Sequence, residues 1–216
     1  MPGEIIDKSN ILIEYFLNTP VSNKGKGVIQ DRENHLRYVL NFVKPNGLLL
    51  EFGVYNGSTI NIISSIFSSN TVWGFDSFEG LPEDWITNDH ELVWHKGFFA
   101  VDKLPDVNAN VRLVKGWFNQ TLPNWIDENS GDISFLHIDC DLYSSTSTVL
   151  NLLNDKIKTD TIIAFDEIYH FGNSKKYTKW NEGEYKALVE WVEKFDRKFK
   201  IISRNKHMQS AIQILK

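Results

Sequence analysis

Short apolar segments that resemble buried strands alternate with segments of helical character along most of the chain. Runs of branched and aromatic residues predict the strands, and apolar residues spaced three and four positions apart predict the helices. This alternation favours a parallel sheet with helices on both faces, because parallel neighbours need a crossover connection. The predicted strands span residues 47–52, 71–75, 111–114, 133–138, 161–165, 200–203 and 209–215.

The helices are predicted between these strands and before the first of them. Asp31 is a plausible N-cap for the second helix. The last two strands follow each other across a short turn at 204–206, so one of them should be antiparallel to the rest. We therefore expect an α/β, Rossmann-like fold with a seven-stranded, mostly parallel sheet and a C-terminal antiparallel strand. The predicted helices span residues 5–18, 31–44, 58–67, 121–128, 144–154 and 184–196.

Length and charge restrict the domain count and the partners. The 216 residues suit a single domain over 1–216, with N-terminal helices in 1–44 and a long, lid-like loop over 76–110. A net charge of −5 disfavours nucleic acid as the main partner. No apolar run approaches the roughly 18 residues of a membrane span, and the N-terminus shows no signal-peptide pattern. The lone Cys140 excludes an intrachain disulfide, so we expect a cytoplasmic protein.

The first candidate binding motif lies where the first strand ends. Residues 51–59 read Glu-Phe-Gly-Val-Tyr-Asn-Gly-Ser-Thr, an E-x-G-x-x-x-G pattern in place of the G-x-G-x-x-G of dinucleotide binders. Its glycines allow the backbone to turn sharply and approach a ligand. Glu51 would repel a pyrophosphate but suits the ammonium group of an amino-acid-bearing cofactor. A tight strand-to-helix turn without a ligand is the alternative.

A second candidate, Asp76, follows the second strand. A carboxylate in this position can accept hydrogen bonds from both hydroxyls of a ribose. Because NAD and S-adenosylmethionine both contain a ribose, Asp76 does not distinguish between them. A nicotinamide-dependent oxidoreductase and a non-catalytic binding module of the same fold therefore stay open, although Glu51 and the missing G-x-G-x-x-G disfavour the oxidoreductase.

Acidic residues follow the fourth and fifth strands, in the sequences 137–141 (His-Ile-Asp-Cys-Asp) and 166–167 (Asp-Glu). Neighbouring parallel strands bring such residues to one edge of the sheet, where carboxylates repel each other unless a cation neutralises them. Oxygen ligands favour Mg²⁺ or Ca²⁺, with Mn²⁺ possible. A solvated strand end is the alternative, and one carboxylate could instead accept a proton. His137 lies inside the strand and is interpreted as a core histidine.

These motifs, taken in order, resemble the macrocin O-methyltransferase (TylF-type) family over about residues 30–195. The resemblance implies a class I methyltransferase fold, S-adenosylmethionine as methyl donor, a divalent metal that is usually Mg²⁺, and methylation of a hydroxyl, typically on a natural-product sugar. The segments that carry it are Gly53-Val54-Tyr55-Asn56-Gly57, residues 74–82 (GFDSFEGLP), residues 115–118 (KGWF) with 121–123 (TLP), residues 137–146 (HIDCDLYSST) and Phe165-Asp166-Glu167.

The resemblance also implies roles for single residues. Asp139, Asp166 and Glu167 would be the metal ligands. Asp76, with Ser77 beside it, would bind the cofactor ribose, and Trp117 would lie near the adenine. Asp139 would also border the cofactor. The methionine part of the cofactor would lie against the turn after the first strand, at Glu51, Gly53, Tyr55, Gly57 and Ser58.

The chain departs from the family pattern in three places. Cys140 stands where Gly or Ala is more common, Glu167 stands where a second Asp is common, and the N-terminal region is short. Since the N-terminal region of relatives often contributes substrate and oligomer contacts, the resemblance implies the methyl acceptor only as a small-molecule or sugar hydroxyl. A homo-oligomer is a possible assembly.

Methyl transfer to an alcohol also needs a group that removes the hydroxyl proton. Catechol-type relatives use a lysine three residues after the first metal aspartate, and this chain has Leu142 there. The candidate bases are Asp139, His95 and His90, and His170 is a candidate substrate contact. Aromatic residues of the 76–110 segment are expected to form an apolar lid or to pack on one another; they are Phe78, Trp85, Trp94, Phe98 and Phe99.

Overall fold

The computed structural model describes residue 19 and residues 27–88, 93–169 and 177–216. The predicted helix 5–18 lies outside these residues. The helices are α1 (Val28–Leu40), α2 (Ser58–Ile66), α3 (Phe118–Glu128), α4 (Tyr143–Leu152) and α5 (Glu184–Lys194). The strands are β1 (Leu48–Phe52), β2 (Val72–Asp76), β3 (Trp85–Ile86), β4 (Val93–Trp94), β5 (Val111–Lys115), β6 (Ile133–Ile138), β7 (Ile157–Phe165), β8 (Phe199–Arg204) and β9 (Ser210–Ile214).

Seven strands form one sheet in the order β5-β2-β1-β6-β7-β9-β8. Neighbours from β5 to β7 pair in parallel, and β9 is antiparallel to both β7 and β8. The predicted mostly parallel sheet with a C-terminal antiparallel strand is thus confirmed. The register places Phe52 beside both Phe75 and Ile138, and Ile138 beside Phe165. The carboxyl ends of β1, β2, β6 and β7 therefore lie level with one another.

Both faces of the sheet are covered, as predicted. On one face, Leu122 and Trp125 of α3, Val149 of α4 and Trp191 of α5 pack against the sheet. On the other face, apolar residues of α1 and α2 form the second core cluster, among them Leu36, Val39, Ile60 and Ile63. Burial of these apolar helix residues against the sheet holds the strand ends in a fixed arrangement, since a close-packed interior resists displacement.

Two local predictions are wrong, and both fail because tertiary contacts decide the outcome. Asp31 does not cap a helix, because α1 begins at Val28 with Gly27 as its N-cap residue. Asp31 is instead 1% exposed, and its Oδ2 lies 2.9 Å from both Lys206 Nζ and His207 Nε2. The 76–110 segment is not irregular throughout, since β3 and β4 pair within it as a separate antiparallel unit.

The strand ends predicted from the sequence are otherwise close to those observed. β7 differs most, because it begins at the buried Ile157 and continues through the exposed residues 158–160 before the predicted strand starts. Among the residues that the structure describes, none of the helices combines the length and the apolar character that a membrane crossing requires.

Candidate active site

A cavity of about 560 Å³ lies at the carboxyl ends of β1, β2, β6 and β7. This is where open α/β sheets bind their ligands, because the loops that follow the strands diverge there. Predicted cofactor-binding residues line its wall, and so do the acidic residues that follow β6 and β7. The cofactor-binding residues in the lining are Gly53, Tyr55, Asp76, Ser77, Trp117 and Asp139.

The turn between β1 and α2 is held by Asp76. One of its carboxylate oxygens accepts hydrogen bonds from the backbone N–H groups of Val54 (2.9 Å) and Tyr55 (2.8 Å), and the other accepts one from Phe78 (2.7 Å). Gly53 has a φ of +90°, and a Cβ there would overlap the carbonyl oxygen of Asp139. The glycine is thus required for the β1 and β6 ends to approach each other.

Glu51 lies behind this turn, where it is fully buried and is not part of the cavity wall. One of its oxygens accepts a hydrogen bond from Thr59 Oγ1 at 3.0 Å, and the other lies 3.0 Å from Nδ1 of His137. Gly57 and Ser58 are likewise absent from the lining. Contact of Glu51, Gly57 and Ser58 with the methionine part of the cofactor therefore stays a prediction, since these three residues do not line the cavity. Burial of Glu51 in a polar pair with His137 is the physical reason for its placement.

His137 is 3% exposed and is held between two carboxylates. Its Nε2 lies 3.8 Å from Asp166, opposite the Glu51 contact. Burial acts to lower the pKa of His137, but its interactions with Asp166 and Glu51 outweigh burial and raise the pKa to about 10. The interpretation of His137 as a core histidine with satisfied partners agrees with these contacts. Its positive charge links the β1 and β7 ends.

The acidic residues after β6 and β7 come together as the sequence predicts. Potential ligand atoms of Asp139, Asp141 and Glu167 lie within 4.8 Å of one another, and a second such group contains His137, Asp139 and Asp166. The three ligands implied by the family resemblance are thus divided between two overlapping groups, with Asp139 in both. Hard oxygen donors at this separation match the preference of Mg²⁺ and Mn²⁺.

Negative charge exceeds positive charge on the Glu167 side of this cluster. Burial raises the pKa of Asp141, Glu167 and Glu184 well above the usual range, and the neighbouring carboxylates raise these pKa values further. Glu167 Oε2 is buried and has no hydrogen-bond partner within the described part of the chain. Such an atom is costly to bury unless something else binds it.

Arg32 supplies positive charge on the other side of the cluster. It extends from α1, donates a hydrogen bond from Nη2 to Asp139 and places Nε 2.9 Å from Asp166 Oδ1. Burial acts to raise the pKa of Asp166, but Arg32 and His137 outweigh it and hold this pKa well below the usual range. For Asp139, burial dominates over the opposing effect of Arg32 and raises the pKa to about 7.

Glu184, in the first turn of α5, connects the two acidic loops. Its Oε1 accepts a hydrogen bond from the backbone N–H of Cys140 at 3.4 Å, and its Oε2 accepts one from the N–H of Glu167 at 3.1 Å. Each of these N–H groups belongs to a potential metal ligand or to its neighbour in the chain. Glu184 therefore sets the spacing between the loop after β6 and the loop after β7.

Of the two histidines predicted as bases, the structure describes His95 but not His90. The His95 side chain is 79% exposed, lies 3.5 Å from Asp84 and does not line the cavity. His90 and His170 lie outside the described residues. His95 is displaced because the β3–β4 unit turns it towards solvent rather than towards the acidic cluster.

Several aromatic residues of the 76–110 segment pack on one another, and some also border the cavity. Trp94, Phe98 and Phe99 pack on one another, with the rings of Trp94 and Phe98 4.5 Å apart. Phe99 and Trp85 also line the cavity. The packing of this segment on itself is confirmed, and its role as a lid stays a prediction.

Two functional candidates escaped the sequence analysis, Arg32 and Glu184, and Asp141 had no role of its own there. Asp141 lies in a segment that was already suspected, and its φ of +61° marks a constrained backbone. Arg32 and Glu184 have no local signal, because each acts on residues far away in the chain.

Sequence comparison identifies relatives among enzymes of natural-product biosynthesis. The sequence model described as Macrocin-O-methyltransferase (TylF) matches residues 24–195. One relative, the 8-demethyl-8-(2,3-dimethoxy-alpha-L-rhamnosyl)-tetracenomycin-C 4'-O-methyltransferase of Streptomyces olivaceus, is 29% identical over 159 residues. That alignment covers 63% of this chain and 59% of the relative, so the chain spans about three-fifths of that protein's length.

Structural comparison identifies neighbours of the same fold. CalS11, a calicheamicin methyltransferase, aligns with a TM-score of 0.65 and 20% identity over 95% of this chain and 90% of its own. MycE, a methyltransferase of mycinamycin biosynthesis solved with Mg and SAH, aligns with a TM-score of 0.55 and 13% identity over 97% of this chain and 55% of its own. The fold is therefore that of the class I, Rossmann-like methyltransferases.

Proposed function

The chain belongs to the macrocin O-methyltransferase (TylF) family, and on this premise we propose that it is an S-adenosylmethionine-dependent O-methyltransferase that uses a divalent cation, Mg²⁺ in the first instance. The acceptor is a hydroxyl group of a sugar or of a sugar-bearing natural product, by analogy with the rhamnosyl-modifying relative. The observation that carries the proposal is the convergence of the cofactor-type turn and the acidic cluster on one cavity.

The donor is proposed to bind along the β1 and β2 ends. Asp76 holds the turn with its carboxylate, which accepts three backbone hydrogen bonds and so retains about one acceptor site, on Oδ1, for a ribose hydroxyl. Gly53 and Tyr55 border the methionine part, while Ser77 and Trp117 border the ribose and the adenine. Glu51 acts on this site indirectly, through the β1 and β6 ends that it joins with His137. When bound, the donor would supply an electrophilic methyl group to an acceptor hydroxyl held beside the acidic cluster.

The acidic cluster fits a divalent cation. Its donors are carboxylate oxygens, and the buried Oε2 of Glu167 lacks a partner in the described chain. We propose Asp139, Asp166 and Glu167 as ligands, as the family resemblance implies. When bound, the cation would supply a charge that lowers the pKa of an acceptor hydroxyl and orients it. The Mg in MycE supports this choice of metal.

Asp141 is the proposed base in place of either histidine. It lines the cavity, and one of its oxygens lies within 4.8 Å of ligand atoms of Asp139 and Glu167. A hydroxyl held at this position would be within reach of the Asp141 carboxylate. A carboxylate in this position suits a proton acceptor for that hydroxyl. Asp139 then serves as a ligand, since it belongs to both groups of potential ligand atoms.

Methyl transfer to a panel of nucleotide-linked and aglycone-linked deoxysugars tests this function. Asp139→Asn should lower kcat/KM by about a thousandfold, because it removes a charge shared by both ligand groups. Asp127→Asn, on the exposed face of α3, is the matched control and should behave as the parent chain.

Two results would contradict the proposal. Full turnover by the Asp139→Asn variant, together with full turnover of the parent chain in the presence of a chelator, would show that the reaction needs no metal. Calorimetric binding of NAD without binding of S-adenosylhomocysteine would replace the methyltransferase with an oxidoreductase. A cytoplasmic location and a homo-oligomer stay predictions from the sequence.

A further inference from the structure

The Arg32 side chain reaches from α1 to carboxylates that follow two different strands. Its Nη2 donates to Asp139 Oδ2, and its Nε lies 2.9 Å from one oxygen of Asp166 and 2.8 Å from the other. One guanidinium therefore joins the β6 end to the β7 end. The planar arrangement of its donors suits this double pairing, which an ammonium group would not reproduce.

A divalent cation would need the same carboxylate. Asp139 is the residue common to both groups of potential ligand atoms among the described residues. A guanidinium within hydrogen-bonding distance of Asp139 repels a second cation there. Water screens this repulsion weakly in an enclosed site, since the effective dielectric constant is low. Arg32 and a metal ion therefore compete for Asp139.

Arg32 has room to withdraw, whereas its partners do not. Its side chain is 32% exposed, against 18% for Asp139 and 6% for Asp166, and it forms part of the cavity wall. Asp166 also accepts hydrogen bonds from Gln209 Nε2, at 3.0 Å to its carbonyl oxygen and 3.1 Å to its carboxylate. The guanidinium can thus turn into the cavity while these contacts hold the carboxylate in place.

We propose that Arg32 balances part of the negative charge of the acidic cluster, at Asp139 and Asp166, in the metal-free protein and that a divalent cation binds at Asp139 only as the guanidinium withdraws. The inference rests on the proposed function, because it takes metal binding as its starting point. Arg32 then sets the metal affinity of the site. It prevents repulsion between the carboxylates before the metal arrives and weakens the binding of the metal that replaces it.

Calorimetric titration of the full chain with Mn²⁺ tests this inference without any measurement of turnover. Arg32→Met keeps an unbranched stem but removes the charge, so it should bind Mn²⁺ about tenfold more tightly than the parent chain. Arg32→Lys keeps the charge but loses the double pairing, and should fall between the two. Arg37→Met, an exposed arginine on the same helix, is the matched control and should leave the affinity unchanged.

Thermal unfolding provides a second readout. Without metal, Arg32→Met should melt at a lower temperature than the parent chain, because Asp139 and Asp166 lose their partner. Saturating Mn²⁺ should then raise the melting temperature of the variant more than that of the parent, since tighter binding stabilises the folded state more. Arg32→Gln, which removes the charge but keeps a donor, replaces the Met variant if the latter does not fold.

The outcomes separate this inference from the proposed function. Equal Mn²⁺ affinity in the parent chain and the neutral variants would overturn the competition while leaving the metal site intact. Weaker binding in the variants would also overturn it and would assign Arg32 to the support of the metal site. Absence of Mn²⁺ binding in all of these proteins would overturn both the metal part of the proposed function and this inference.

Discussion

Asp76 and Asp139 both follow a parallel strand and both line the same cavity, yet they are neutralised in different ways. Asp76 accepts hydrogen bonds from three backbone N–H groups in adjacent turns. Asp139 is one of several carboxylates and shares a single guanidinium with Asp166. At the end of the cavity that holds Asp76, the proposed methyl-donor end, the fold itself supplies the partners of the carboxylate. At the end that holds Asp139, Asp141, Asp166 and Glu167, the acidic end, negative charge exceeds what the described partners neutralise.

The difference shows that the fold organises the surroundings of Asp76 by itself, whereas the acidic cluster needs a ligand to balance its charge. Backbone donors around Asp76 are fixed by the strand ends, so the turn can bind a cofactor with little rearrangement. At the acidic end, the raised pKa values of Asp141, Glu167 and Glu184 indicate carboxylates that are costly to ionise together. A cation would remove that cost, and its absence would leave the cluster partly protonated.

Among the substitutions that test this contrast, the largest effect is expected from a change of Asp76 at the proposed methyl-donor end. Asp76→Ala removes the acceptor for three N–H groups and the proposed partner of the ribose, so S-adenosylhomocysteine should bind about a hundredfold more weakly, or about 3 kcal/mol. Calorimetry measures this loss. Asp102→Ala, an exposed acid of the same long segment, is the control. Unchanged affinity would show that the donor end does not depend on Asp76.

A smaller effect is expected at the acidic end, from the residue that spaces its two loops. Glu184→Ala leaves the buried N–H groups of Cys140 and Glu167 without their acceptor, so the free energy of unfolding should fall by about 2 kcal/mol. Urea denaturation measures the change, with Glu193→Ala on the exposed face of α5 as the control. A more stable variant would contradict this prediction and would show that repulsion between carboxylates outweighs the two hydrogen bonds.

The smallest effect concerns His35, one of two buried histidines whose surroundings favour opposite charge states of the ring. His137 is kept charged by carboxylates, whereas burial lowers the pKa of His35 to about 4, and its Nε2 lies 2.9 Å from Ser203 Oγ. In the unfolded chain His35 binds a proton with the ordinary pKa of 6.5, whereas in the folded chain it does so only at a pKa of about 4. The stability linked to His35 is therefore present above the unfolded pKa and is lost as pH falls towards the folded pKa.

His35→Gln should remove this part of the pH dependence. Between about pH 7 and about pH 5.5, the parent chain should lose about 1 kcal/mol more stability than the variant. Urea denaturation at each pH measures the difference, and the exposed His95→Gln is the control. Parallel stability profiles for the parent and His35→Gln would show that His35 is not held neutral in the folded chain.

The sheet and the positions of its ligand-binding residues could be predicted from the sequence because they depend on local patterns. The apolar run of β6 and the acidic residues that follow it place Asp139 at a strand end, whatever the rest of the chain does. The same reasoning located Asp76, Asp166 and Glu167. Parallel pairing then brings the strand ends together, and only the hand and order of the sheet are needed to gather these residues at one cavity.

The partners of those residues were decided by the tertiary structure. Arg32 lies 107 positions from Asp139, and Glu184 lies 44 positions from Cys140, so no spacing within the sequence links them. Glu51 stays a predicted cofactor contact, and only the pairing of β1 with β6 reveals that His137 lies beside it. Local periodicity determines where a side chain stands on its element, whereas its charge partner depends on how distant elements pack.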